Sequence, residues 1–394
     1  MLLRPWRLHE AWWAGFGAAA LLATGIVTLP EAWLSIGSGT DVYCFLAGMM
    51  LLAEIARAEK IFDWTSFWAL RVARGSPDRL FVLVFGLGAI VTVFLSNDAT
   101  VVVLTPAVIA IAKRAALPAL PYAYACAFVA NAASFVLPIS NPANLVVYGG
   151  RLPTLGPWLQ SYGLPSAVAL GATYVLLRWY VRRDLKAKAA QPSERSGLTL
   201  RKRALFVLIA SVLVVVAASA FGQHVGVATA LVALVALAIA VSGREGATFG
   251  TLRRLDYSIL VLVAALFVVV GALDANGALG EARRLLSAAA ALSDPLSRIA
   301  AGSVTAAIAN AFNNLPVGLA ARYALEASHA HPSLFRSILI GIDLGPNLST
   351  TGSLATLLWL SALRAEGVPM TGARFLRAGA VVMPLALVLS VAVA

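Results

Sequence analysis

Apolar runs of helix length, separated by short polar or basic loops, fill nearly the whole chain. A hydrocarbon core of roughly 30 Å takes about 20 helical residues to cross. On that scale full spans are expected at about 11–30, 41–57, 119–148, 157–181, 204–222, 225–242, 257–273, 333–363 and 373–393. The runs lack the two-residue alternation of barrel strands, so the spans are α-helical. Two regions, 80–112 and 297–327, are different. Each is a pair of apolar arms around a polar tip, Leu95-Ser96-Asn97-Asp98-Ala99-Thr100 in the first and Ala311-Phe312-Asn313-Asn314-Leu315-Pro316 in the second. An arm such as Leu80 to Leu95 rises only about 24 Å as a helix. Both regions are therefore read as re-entrant hairpins.

Each hairpin is followed by a span interrupted at its middle. The first reads Leu137-Pro138-Ile139-Ser140-Asn141-Pro142-Ala143-Asn144, and the second runs from Gly341 through Asp343, Pro346, Asn347, Thr350 and Thr351 to Gly352-Ser353. The order span, span, hairpin, broken span, span thus occurs twice, over 1–181 and 223–394, joined by a basic loop and linker span at 182–222. Four crossings plus one linker is an odd number, so the second unit is expected upside down relative to the first. The predicted fold is an all-α polytopic membrane protein, an inverted repeat of two five-element units whose interrupted helices meet at the midplane, as in secondary transporters.

Composition agrees: 60% of residues are hydrophobic, 12% are charged and the mean hydropathy is +0.85, more apolar surface than an ordinary soluble core can hide. The net charge of +12 is not a nucleic-acid signature, because the basic residues sit in loops rather than on one face. Placing Arg4, Arg7, Arg79, Lys113, Arg114, Lys188, Arg195, Arg244 and the other loop cations in the cytoplasm leaves only Arg151, Arg283, Arg284, Arg298, Arg322 and Arg336 of the 30 Lys and Arg outside. That sets the N-terminus in the cytoplasm and the C-terminus outside. Arg4 and Arg7 before an apolar run resemble a signal peptide, but no small-residue cleavage site follows, so the segment is expected to remain as the first span. Cys44 and Cys126 both fall inside spans, against a disulfide framework or a thiolate metal site.

Irregular backbone at membrane depth persists only where protein or a watery cavity satisfies it. The two tips and two breaks are therefore expected to gather around one site, with Ser96, Asn97, Ser140, Asn141, Asn144, Asn313, Asn314, Asn347, Thr350, Thr351 and Ser353 as substrate ligands or helix caps. Asp98 and Asp343 are carboxylates at depth, functional candidates for proton coupling, each equally able to cap a half-helix. Asn131 and Ser134 share a helix face before the first break and either line the path or bind neighbouring helices. Glu54 beside Arg57 reads as a paired or snorkelling group. His9, His224, His329 and His331 fall in loops or span ends. No zinc-ligand spacing, phosphate loop or nucleophile–base pair stands out, and no cofactor is implied.

Leu95-Ser96-Asn97-Asp98-Ala99, Asn313-Asn314-Leu315-Pro316 and above all Asp343-Leu344-Gly345-Pro346 with Gly352-Ser353-Leu354-Ala355-Thr356-Leu357-Leu358-Trp359-Leu360 resemble the ArsB-type arsenite/antimonite efflux pumps of the ion transporter superfamily. The likeness runs from about Trp12 to the C-terminus. It implies two polar-tipped hairpins and an inner-membrane exporter of trivalent arsenic and antimony acids, driven by protons and sometimes joined by a soluble ATPase subunit. Members of that family often carry an acid where Asn131 stands, and some carry Lys at the position of Asn347.

Arsenous acid is neutral at cytoplasmic pH, so amides and hydroxyls suit its three OH groups, and none of the four polar stretches contains Lys or Arg. The expected partners are accordingly a small neutral metalloid acid, protons and the lipid bilayer, with no nucleic acid. The alternatives are a sodium/proton antiporter or sodium-coupled anion or dicarboxylate carrier and, more remotely, a membrane-embedded enzyme using Asp98 and Asp343 as a carboxylate pair.

Overall fold

A computed structural model describes residues 10–186, 200–242, 247–328 and 332–394. Arg4, Arg7, His9, Lys188, Arg195, Arg244, His329 and His331 lie outside these residues. The described residues are mostly helical and contain no strand. In chain order the helices are α1 (Glu10–Ala23), α2 (Leu29–Gly37), α3 (Thr40–Ala58), α4 (Ile61–Ala73), α5 (Pro77–Phe94), α6 (Asn97–Ala99, continued by a π-turn to Leu104), α7 (Thr105–Arg114), α8 (Leu120–Ala132), α9 (Pro142–Val147) and α10 (Leu155–Val181). They continue with α11 (Lys202–Ala220), α12 (Val225–Val241), α13 (Ala247–Leu252), α14 (Ser258–Ala275), α15 (Gly280–Ala290), α16 (Leu296–Phe312), α17 (Asn314–Ser328), α18 (Pro332–Leu344), α19 (Leu354–Ala365) and α20 (Gly372–Ala392).

Large apolar side chains stand exposed on the outer helices, among them Leu164, Val175, Phe206, Leu213, Leu231 and Val261. Such a belt is tolerable only against lipid. Among the described residues α5, α10, α11, α14 and α20 are each long and apolar enough to cross a membrane, and the α2–α3 pair adds a sixth span bent by 52°. Three expectations need correction. The first span does not run over 11–30, because α1 stops at Ala23, Gly25 turns the chain with a positive φ, and Thr28 and Glu31 start α2 with a reciprocal capping box. The first hairpin arm, α5, has 18 residues, hence about 27 Å, rather than the shorter rise inferred from the apolar run. Finally, α4 and α15 were missed, because each is short and only its apolar side faces a hairpin, which a search for spans passes over.

Re-entry follows from contacts rather than from hydropathy. Tyr122, in the first turn of α8, donates from its hydroxyl to the carbonyl of Pro77, the first residue of α5, at 3.2 Å. Further in, Gly88 of α5 lies against Val129 of α8. The two helices thus start at one level and run parallel, so the chain between them goes in and comes back. Likewise Gly302 and Ala306 of α16 lie against Gly341 near the end of α18 and Gly345 just beyond it. The second hairpin enters from the opposite end. Arg298 at the start of α16 donates to the carbonyl of Ala394 (2.6 Å), whereas the start of α20 is tied to α8 by Tyr124 and the Arg374 carbonyl (3.2 Å). The 21 residues of α20 separate those two ends by about 30 Å.

Packing between the halves is reciprocal. The helix before the hairpin in one half packs on an outer helix of the other, α3 on α12 and α14 on α1, while α10 packs along α20. The returning arm of each hairpin meets the second half-helix of the opposite half, α17 on α9 and the π-turn of the first hairpin on α19. Small residues permit this closeness: a Cβ on Gly48 would collide with the backbone at Thr229, one on Gly226 with the Asp41 carbonyl, and one on Gly341 with the Gly302 carbonyl.

A topology with oppositely entering hairpins makes a plain prediction. In a background lacking Cys44 and Cys126, Arg114→Cys and Arg283→Cys are expected to react with a membrane-impermeant maleimide from opposite sides of sealed vesicles, and labelling from one side would contradict it. Gly341→Ala is expected to cost about 1–3 kcal/mol through overpacking, read as a lowered melting temperature of the purified protein.

Candidate functional site

The two breaks are built alike. α8 and α18 each have 13 residues and each ends at a break; after it the chain re-enters a helix through a capped residue. Asn141 caps α9 by accepting from the Ala143 N–H (3.0 Å), and Ser353 caps α19 by accepting from the Thr356 N–H (3.1 Å). Both tips turn on a non-glycine residue with positive φ, Ser96 (131°) and Asn313 (76°). That conformation costs energy for side-chain-bearing residues and persists only where its surroundings over-determine it.

Hydrogen bonds tie all four stretches together. The tip of the first hairpin meets the first break through the Asn97 N–H donating to the Ser140 carbonyl (3.2 Å), while the Ser140 hydroxyl donates to the Val93 carbonyl (3.1 Å). The second hairpin meets the second break through Asn310, whose amide donates to the Gly345 carbonyl (2.8 Å) and whose Oδ1 accepts from Ser349 (2.6 Å). Thr351 donates to the Asn310 carbonyl at 3.1 Å. The breaks then cross-link each other: Asn131 Nδ2 donates to Asn347 Oδ1 (3.0 Å), Asn347 Nδ2 to the Phe128 carbonyl (3.0 Å), and Asn141 Nδ2 to Asp343 Oδ1 (2.7 Å). Ser353 adds a longer bond to Asn131 Oδ1 at 3.4 Å.

The interval from Asn131 to Asp343 equals that from Asn141 to Ser353, so Asn131–Ser353 and Asp343–Asn141 are the same contact made once from each half. One carries an acid and the other an amide. Asn144 points back into its own break, its amide donating to the carbonyls of Ser134 (2.9 Å), Pro138 (3.3 Å) and Leu137 (3.4 Å).

The expected ligands therefore divide. Asn97, Asn131, Ser134, Ser140, Asn141, Asn144, Asn314, Asn347 and Ser353 are buried. None of them lines either of two cavities that reach the tips. One cavity, about 230 Å³, presents Asn313, Thr350 and Thr351 at its inner end and runs along α19 to Arg364. The other, about 320 Å³, reaches Ser96 and Asp98 and is bordered by Glu54, Arg57, Arg254 and Asp256. Arg57 and Glu54 form a two-pronged ion pair (2.6 and 2.5 Å). Cations thus line both cavities although the four polar stretches contain none.

Neither carboxylate caps a helix. Ser96 holds the cap position before α6, leaving the Asp98 carboxylate on the cavity wall, and Asp343 sits at the C-terminal end of α18, where a carboxylate caps nothing. Asp343 is fully buried with Asn141 as its hydrogen-bond partner, so the two acids do not form a carboxylate pair. Cys44 and Cys126 are both free thiols and line neither cavity. Sequence reasoning missed Asn310, which lies within the apolar arm one helical turn before the tip at Asn313.

Hairpins entering from opposite ends, helices broken at depth and cavities reaching the tips and breaks define a polytopic membrane transporter. Residues 1–341 match the citrate transporter family, CitMHS, and the chain belongs to that family. Its relatives include the transporter Rv2684 of Mycobacterium tuberculosis, named only as an uncharacterized transporter, which is 27% identical over 409 residues, covering 99% of this chain and 94% of that one. The arsenical pump membrane protein of Escherichia coli K12 is 26% identical over 402 residues, covering 96% and 91%. Among solved structures the YdaH transporter of Alcanivorax borkumensis, described as having an unusual topology, has the same fold: TM-score 0.63, 14% identity, 98% of this chain and 97% of that chain.

Asn131→Ala removes the donor that holds Asn347 across the seam. It is expected to cost about 1–3 kcal/mol, measured as a lowered melting temperature, whereas Ser361→Ala, whose exposed hydroxyl bonds only within its own helix, is expected to be neutral.

Proposed function

We propose that this protein is a secondary exporter of trivalent arsenic and antimony acids, As(OH)3 and Sb(OH)3, exchanging them for protons by alternating access. The observation that carries this reading is the chemistry at the inner ends of the two cavities. Asn313, Thr350 and Thr351 offer amide and hydroxyl groups without net charge, and Ser96 stands beside the carboxylate of Asp98. A neutral triol can donate to and accept from such groups, each bond adding about 1 kcal/mol net. The likeness to the arsenical pump membrane protein over nearly the full length of both chains supports the substrate class.

In the proposed cycle the protein lies in the inner membrane with its Arg79 and Lys113 face toward the cytoplasm. Substrate enters past the cavity mouths, the hairpins and half-helices shift, and release outward is followed by proton loading of Asp98, which resets the carrier. Asp98 is the better placed of the two acids because it borders a cavity, while Asp343 is sealed within the seam. Substrate and proton must exclude each other for the gradient to drive export.

A second reading is favoured by a specific observation. Arg364 borders a cavity whose lining contains no carboxylate, whereas in the other Arg57 and Arg254 stand among Glu54, Asp98 and Asp256. With the citrate transporter family, the first cavity suits a carrier of carboxylate anions, which Arg364 would draw in.

Expression in a host stripped of arsenic exporters separates the two: resistance to arsenite and antimonite supports the first reading, and citrate or dicarboxylate uptake without metalloid resistance supports the second. In everted vesicles Asp98→Asn is expected to abolish pH-driven arsenite uptake, and an undiminished rate would remove Asp98 from the coupling role. Thr350→Ala and Asn313→Ala are each expected to raise the arsenite KM about fivefold, the equivalent of roughly 1 kcal/mol.

A further inference from the structure

Away from the hairpins and breaks, a further cavity of about 130 Å³ lies where the start of α11, the end of α12 and the end of α3 converge. Its rim is polar, made by Arg201, Arg203, Glu59 and Ser242, and its floor is apolar, made by Ile55, Ala204, Val207, Ile239 and Ala240. The level is that of a membrane surface, because α11 is long and apolar enough to span, begins at Arg201-Lys202-Arg203 and exposes Phe206 within its next turn. It is the end that the loop cations assign to the cytoplasm.

The two arginines differ in what they meet. Arg201 Nη1 is paired with the buried Glu59 carboxylate at 3.0 Å, so those two charges offset each other. Arg203 Nη2 instead donates to the Ser242 hydroxyl (2.9 Å), a neutral acceptor whose own proton goes to the Ile239 carbonyl (2.8 Å). One positive charge is left in excess on the rim. A guanidinium presents a planar fork of N–H donors that matches the oxygens of a phosphate.

The groove continues into the bilayer. Val214 lies on the same face of α11 as Val207, two turns further in, and Val235 lies on the same face of α12 as Ile239, one turn further in; both stand exposed. A soluble anion would leave this apolar track unused. A zwitterionic lipid would bring a second cation up to the arginines. The feature answers to both needs only with an anionic head joined to an apolar tail.

We propose that Arg201, Arg203 and Ser242 hold the phosphate of an anionic glycerophospholipid whose chain lies along the α11–α12 groove, with phosphatidylglycerol as its probe. Glu59 and Ile55 come from the first half, the arginines from the linker helix and Ile239 from the second half, so a lipid seated there fastens all three together. It goes beyond the arsenite reading and does not require it.

The test is lipid binding by the purified full-length protein, followed by native mass spectrometry from detergent without any transport substrate. Titrated phosphatidylglycerol is expected to be retained as one adduct at collision energies that strip phosphatidylcholine. Arg203→Gln, at an exposed position, and Ala240→Trp, which fills the floor and leaves both arginines in place, are each expected to weaken retention about tenfold. Arg183→Gln, which removes an exposed cation just beyond α10, is expected to leave retention unchanged. Should Ala240→Trp not fold, Arg203→Gln carries the test. Equal retention of the two lipids would overturn the proposal, as would undiminished retention in either variant or an equal loss in Arg183→Gln. Displacement of the lipid by inorganic phosphate at equal concentration would also overturn it, making the site one for a free anion. Because the readout is binding, failure of arsenite export leaves this result standing, and the reverse holds as well.

Discussion

Backbone that leaves a helix inside a membrane must find partners there. In this protein each break is served from its own half, by Asn97 and Asn144 at the first and by Asn310 at the second, and the cross-links Asn131–Asn347, Asn347–Phe128 and Asn141–Asp343 then bind the two breaks to each other. The half-helices α9 and α19 begin where they do because Asn141 and Ser353 cap them, and the same two residues reach across the seam. A site assembled this way is held by the meeting of the halves and not by either alone.

The seam is pseudo-symmetric in geometry but not in chemistry. An acid stands at Asp343 and an amide at Asn131, in equivalent places with equivalent partners. The amide side is internally satisfied, since Asn131 and Asn347 complete each other's bonding. The acid side is left with an uncompensated oxygen. The positively charged groups have been moved out of this centre to the cavity borders, as Arg57, Arg254 and Arg364.

Much of this was legible in the sequence. The tips at Ser96–Asn97 and Asn313–Asn314 and the breaks at Pro138–Asn141 and Gly345–Ser353 were readable because polar and helix-breaking residues inside apolar runs are expensive without a reason. What could not be read was which of them face open space. Asn141, Asn144 and Asn347 have the same composition signal as Asn313 and Thr350, yet they satisfy backbone and seam, a distinction that exists only once the halves are packed. The arginines were missed for the converse reason. Arg57, Arg254 and Arg364 lie many residues from the polar motifs in sequence and join the cavities only through helix packing. Short elements such as α4 and α15 escaped because neither is apolar all round.

The reciprocal placement of α1 on α14 and α12 on α3 has a further consequence. Each half supplies an outer wall of the other, so neither half is a domain in the ordinary sense, and a single unit on its own would leave the polar seam side chains of its broken helix facing lipid. If one unit ever existed as a separate polypeptide, it would have needed a second copy inserted in the reverse sense to persist in a bilayer. The present chain carries that antiparallel pairing within one covalent strand.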